Sequence, residues 1–349
     1  MRLKFLTKRD NEIPLYFGNN DNFILNIESQ LVYKTTDFKN KIWEIGGVSG
    51  KALMDGFYCV VFANENEIAF VDRMTGEVID IENYSLIQAD ETRDGELSSR
   101  LLCFRTVEKI DDLELKDVGF LNLKEDYFEI IKEKFAFETI VAHGENFIVK
   151  QKDKIIYFDS KLSDEICCFS LTELPLVIKS KNALVEILGI YSNTLWLHFK
   201  GLQLIGLDLN KSEIKFNSCD VLLGGETFGN NFLDKENGLI KILANNIYRE
   251  FDLHHLIITK NTEIKQDFYI SNSTHIIGDD NLYFTARLEK GFTNIFGVFD
   301  TVKCEILIYK KVDFTIATNS IYSSLYASKS CIAVLDKENS LYIYLKEIQ

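Results

Sequence analysis

Four carboxylates gather around a single glycine in the stretch ADETRDGELSS, residues 89–99: Asp90, Glu91, Asp94 and Glu96. Clustered hard oxygen donors suit a calcium ion, a solvated loop, or a surface that recognises cations on a partner. The spacing breaks the D-x-[DN]-x-[DN]-G order of a calcium loop, which favours the other two readings. A second acidic stretch, EKIDDLELKD at 108–117, adds Asp111, Asp112 and Glu114 and reads as a loop inserted where similar segments have only a short connection. Closure entropy grows only logarithmically with loop length, so such an insertion costs little on a rigid frame, and exposed loops are where recognition usually resides. These seven acids are the candidate partner-binding residues.

Other chemistry is thinly represented. The histidines are His143, His198, His254, His255 and His275. Adjacent residues on a strand point to opposite faces, so His254 and His255 cannot serve one metal without a bend. His198, in LWLHF, reads as a core histidine, and no fixed spacing ties His143 or His275 to a carboxylate. The glycine-rich LLGGETFGNNF, 222–232, lacks both GxGxxG and a GK[ST] ending and reads as a wide loop rather than a phosphate cradle. There is no GxSxG elbow and no CxxC pair. No catalytic residue, metal site or cofactor is expected from these patterns.

The frame that must position the acidic stretches is a chain of 349 residues, long enough to bury a core without disulfides or metals. Lys and Arg total 39 against 53 Asp and Glu, a net charge of −14. A field of that sign repels phosphate backbones and anionic lipid heads, so nucleic acid and membrane are not expected partners, and a basic protein is. The first residues carry no signal-like apolar run, and no apolar stretch is long enough to span a bilayer, so a cytoplasmic protein is expected. Seven cysteines without an export signal read as reduced, buried thiols.

One pattern recurs along the chain: an apolar run, a turn, a second run ending in Asp, another turn, and a more polar third run. The clearest copy is FYCVVFANENEIAFVDRMTGEVIDI at 57–81. Others lie at 147–169, 195–216 and 239–259, with less regular ones at 23–45 and 282–309. Asp37, Asp72, Asp159, Asp208, Asp252 and Asp300 hold the same place, and Asn122 fits the gap between Asp72 and Asp159. The period is about 44 residues, that of a four-stranded propeller blade. Runs apolar at successive positions need cover on both faces, which stacked blades provide without helices. The aspartates read as turn formers whose carboxylates cap the backbone N–H groups that follow, with Gly76 in the left-handed position.

The last segment, 331–349, has two runs and no third, while RLKFL at 2–6 is a spare strand ahead of the first repeat. Pairing the two would close a ring and remove its exposed edges. The expected fold is all-β, a single β-propeller domain over 1–349. Eight blades follow from the repeat count, with seven as the alternative because the interval from Asp37 to Asp72 is short.

In NENEIAFVDRMTGEVI (64–79) and DFKNKIWEI (37–45) the chain resembles WD40-like and PQQ-like repeat propellers, with Trp43 in the place of the docking tryptophan. The resemblance implies the ring. It does not carry quinone binding, since most copies lack the turn glycine and the docking tryptophan, and no WD dipeptide occurs. Two function classes follow. The first is a non-enzymatic acidic interaction module, in its sharper form an immunity or antitoxin-like protein that neutralises a basic toxin. The alternative is a propeller hydrolase or lyase acting on a sugar or lactone, with its site in the central funnel.

Overall fold

The computed structural model describes residues 1–18, 22–46, 52–54, 58–64, 67–72, 74–82, 85–91, 97–110, 113–122, 127–143, 146–173, 185–199, 203–219, 232–276, 279–288, 291–317 and 324–347. Every regular element among them is a β-strand, and the strands form eight sheets of four. After β1 (Arg2–Arg9), the first sheet is β2 (Glu12–Phe17), β3 (Asn22–Asn26), β4 (Leu31–Thr35) and β5 (Trp43–Gly46). The second is β6 (Ala52–Met54), β7 (Tyr58–Asn64), β8 (Glu67–Asp72) and β9 (Val78–Glu82). The third is β10 (Ser85–Glu91), β11 (Leu97–Ile110), β12 (Leu113–Asn122) and β13 (Tyr127–Phe135).

The fourth sheet is β14 (Thr139–His143), β15 (Asn146–Gln151), β16 (Lys154–Phe158) and β17 (Glu165–Ser170). The fifth is β18 (Val185–Tyr191), β19 (Thr194–Phe199), β20 (Gln203–Asp208) and β21 (Glu213–Cys219). The sixth is β22 (Phe232–Asp234), β23 (Leu239–Ala244), β24 (Ile247–Asp252) and β25 (Ile257–Glu263). The seventh is β26 (Phe268–His275), β27 (Asn281–Leu288), β28 (Thr293–Asp300) and β29 (Glu305–Lys311). The eighth is made of β30 (Leu325–Ala327), β31 (Cys331–Leu335), β32 (Leu341–Glu347) and, as its fourth strand, β1. The antiparallel register of that last pair runs from Arg2 opposite Glu347 to Arg9 opposite Leu341, with a bulge between Phe5 and Thr7.

Two compact units emerge from the contacts: residues 1–105, 119–129 and 274–349 in one, and 106–118 and 130–273 in the other. In the first, apolar clusters form between sheet faces. Ile13, Ile24 and Tyr33 pack with Ala333, Leu335 and Leu341, and Tyr283 and Phe296 pack with Ile332 and Val334. In the second, Ile148 and Ile155 join Leu195 and Leu207, and Trp196 joins Ile240 and Phe251. Middle strands are therefore covered on both faces, as in β19, buried at every position. Outer strands alternate: β25 follows a strict exposed and half-buried order, as a strand with one wet face should.

The aspartate turns form as the sequence predicts. Oδ1 accepts the backbone N–H groups two and three residues on at Asp37, Asp72, Asp208, Asp252 and Asp300. Asp159 instead receives those of Ser163 and Asp164, four and five residues on. The fourth residue after Asp is left-handed in four copies: Gly76 at φ 77°, Ser212 at 54°, Leu256 at 58° and Cys304 at 57°. The turn therefore keeps its shape where glycine is missing. A register shift recurs just before the Asp in the five sheets that hold Asp72, Asp159, Asp208, Asp252 and Asp300, between the third and fourth strands.

Several sequence expectations need correction. The stretch 108–117 is not a long inserted loop: residues 108–110 end β11 and 113–117 open β12, the two longest strands of the third sheet, with 14 and 10 residues, while 111 and 112 lie outside the described residues. Charged residues are frequent there, but the two strands bond to each other, and that backbone pairing overrides their low strand propensity. His254 and His255 sit in the Asp252 turn, not on a strand. Of the cysteines, Cys103, Cys167 and Cys331 are buried, but Cys168 is exposed and Cys304 half-buried. Asn122 ends β12, and its side chain lies outside the description, as do residues 220–231 of the glycine-rich segment.

Candidate partner-binding surface

β10 and β11 are antiparallel neighbours, with Ala89 opposite Leu101 and Glu91 opposite Leu97. Asp90 and Glu91 are thus the final residues of β10, while Asp94 and Glu96 fall in the connection to β11, outside the described residues. At the far end of β11, Asp111 and Asp112 join it to β12 and are also outside the described residues; Glu114 is the second residue of β12. Of the seven acids, the structure thus places Asp90 and Glu91 in β10 and Glu114 in β12, with β11 between those strands in the sheet.

The end carrying Glu114 is the better defined. Glu114 lies 3.7 Å from the Lys109 ammonium and 3.5 Å from that of Lys116. Glu108 meets Lys134 at 2.9 Å, and the backbone N–H of Lys134 donates to Asp117 Oδ1 at 3.1 Å. The Glu108 carboxylate raises the pKa of Lys134 above its ordinary value. Lys116 stands 4.7 Å over the ring of Phe137. These contacts brace β11, β12, β13 and Phe137 just after it against one another.

Aliphatic side chains surround this braced end. Ile110 is 50% exposed and Leu113 44%, and Val107 is exposed three residues before Ile110. Over residues 106–118 there are five carboxylates, Glu108, Asp111, Asp112, Glu114 and Asp117, against Lys109 and Lys116. Exposed aliphatics within an acidic rim can bury apolar area and choose a cationic partner. Sequence reading found the acids and missed Ile110 and Leu113, because an apolar residue between charges carries no exposure signal of its own.

Several other reactive groups among the described residues are engaged in structure. His198 is buried in β19. His255 Nδ1 lies 3.0 Å from Asp252 Oδ2, and His254 Nε2 meets the Tyr191 hydroxyl. Asp252 is held at about 2, first by that His255 hydrogen bond and then by the N–H groups of its turn. His275 ends β26, half-buried, and the His143 side chain lies outside the described residues. Burial pushes Cys103 up to about 12 and Cys167 to about 11, away from thiolate chemistry. Among the described residues no group of three His, Cys, Asp or Glu converges to hold a metal. No helix among them is long and apolar enough to cross a membrane.

No family model and no curated protein matches the chain. Solved structures do. BamB from Moraxella catarrhalis aligns at 9% identity and a TM-score of 0.55 over 99% of this chain and 100% of its own. Sqt1 of Saccharomyces cerevisiae aligns at 9% and 0.61 over the whole of both chains. The C-terminal WD40 domain of Sif2 aligns at 9% and 0.63 over 99% of each. At the level of fold, then, the chain resembles WD40 and PQQ-like β-propellers along nearly its whole length.

Proposed function

We propose that this chain is a non-enzymatic interaction module: a single eight-bladed propeller over residues 1–349 that holds the β11–β12 end toward a basic protein partner in the cytoplasm. Eight four-stranded sheets and the pairing of β1 with β32 support the blade number and the closure. The observation that carries the partner reading is the exposed pair Ile110 and Leu113 on a hairpin end with a surplus of acid. Such an end buries aliphatic surface in the contact while its charge speeds encounter with a cationic surface. In its sharper form the partner is a basic toxin such as a nuclease, and binding masks the surface that would meet phosphate. An immunity or antitoxin-like protein works in this way.

The test is affinity capture from the native host with the wild-type protein and with an Ile110→Ser/Leu113→Ser variant, each at low and high salt. The proposal expects a partner of basic isoelectric point, retained at low salt, weakened at high salt and lost from the variant. Equal capture by both proteins at every salt concentration contradicts it.

A further inference from the structure

β1 is the outermost strand of the eighth sheet and, among the described residues, pairs with β32 alone. Alternate backbone N–H and C=O groups along its other side therefore face outward with no strand against them. In a chain of net charge −14, residues 1–9 carry Arg2, Lys4, Lys8 and Arg9 and no acid. Arg2, Lys4 and Lys8 are exposed, and Phe5 is 49% exposed between them. The Phe5 ring meets Tyr344 edge-on at 5.6 Å, and Lys310 stands 5.0 Å over the same Tyr344 ring. Lys310 of β29 thus adds a further cation beside Phe5. Lys8 lies 2.6 Å from Asp10, and Lys4 reaches Glu347 at 3.6 Å with both side chains largely in water.

Cations on an edge strand repel an identical strand, which protects a sheet from edge-to-edge aggregation. The same arrangement favours a strand of opposite charge. We infer that the open edge of β1 is a docking site for an acidic peptide segment in extended conformation, which adds to the sheet as a further strand. Its backbone meets the outward groups of β1, its carboxylates meet Arg2 and Lys4 on one face, and an apolar side chain covers Phe5 on the other. This site is independent of the acidic hairpin end and of opposite polarity. A peptide is favoured over single-stranded nucleic acid because the edge offers alternating backbone donors and acceptors, which a phosphate chain, with acceptors only, cannot reciprocate.

The experiment is fluorescence anisotropy on the full chain with a labelled eight-residue peptide of alternating Glu and Val. Comparison probes are its Lys/Val counterpart, the Glu/Val peptide N-methylated at alternate backbone nitrogens, and an oligothymidylate. Binding of the Glu/Val peptide alone is expected. Weakening by salt and by about fivefold in Arg2→Gln/Lys4→Gln, checked for an unchanged circular dichroism spectrum, is also expected. Equal binding of the N-methylated peptide overturns the strand-addition geometry without any change to the protein. Absent binding of the Glu/Val peptide, or equal binding of the Lys/Val peptide or the oligothymidylate, overturns the site.

Discussion

The indole of Trp43 lies against Gly76 so closely that a Cβ built at Gly76 falls 2.6 Å from two of its ring atoms. Trp43 opens β5, and Gly76 closes the Asp72 turn of the following sheet. Phe23, Ala69 and Val71 complete the contact, so the fourth strand of one sheet docks on the turn of the next. Gly76 is needed twice: for its φ of 77° and for the space its missing side chain leaves. Gly76→Ala should destabilise the protein by about 2–3 kcal/mol, combining left-handed strain with a clash against a buried ring. Urea unfolding measures this, and a loss indistinguishable from that of an exposed strand substitution refutes the docking.

Ser212 holds the same turn position without glycine, exposed and at φ 54°. Ser212→Gly should raise stability by about 0.5–1 kcal/mol, because relief of the left-handed conformation outweighs the added freedom of the unfolded chain. A thermal melt that shows no gain, or a loss, would count against this turn geometry.

Asp37 is held at about 2, first by the Asn40 backbone N–H and then by that of Lys39, and Asp252 is held at about 2 chiefly by His255. Both sit below the ordinary carboxylate value near 4, so their contribution is fully present above about pH 4 and is lost as pH falls toward 2. Stability measured from pH 5 to pH 2 should therefore decline. The decline should be shallower in Asp37→Asn, which keeps an oxygen acceptor but cannot titrate. An unchanged slope in that variant contradicts the assignment.

Much of this frame was legible in the sequence because burial on two faces forces successive apolar residues, as in Thr194–Phe199 of β19. The turn-forming aspartates were legible because their chemistry is local. The first strand of each sheet was missed: Ala52–Met54 and Phe232–Asp234 are too short to show a period, and Ser271–His275 in β26 is polar enough to read as loop. The left-handed Leu256 and Cys304 were also hidden, since tertiary packing can hold a residue where propensity alone disfavours it. At the candidate site the acids were visible, but their distribution was not. Only the sheet order, with β11 between β10 and β12, separates Asp90 from Glu114.

Removing residues 1–9 strips β1 from β32 and exposes the edge of an otherwise buried, apolar strand pair. The truncated chain should lose cooperative unfolding or associate through that edge, visible by light scattering. A monomer as stable as the full chain would contradict a structural role for β1.

The hairpin end is tested most directly by hydrogen exchange on the chain with its captured basic partner bound. Added protection over residues 107–115, with 85–97 unchanged, is the result the proposed surface requires. Protection confined to the other end of β11, or absent from the third sheet altogether, would contradict it.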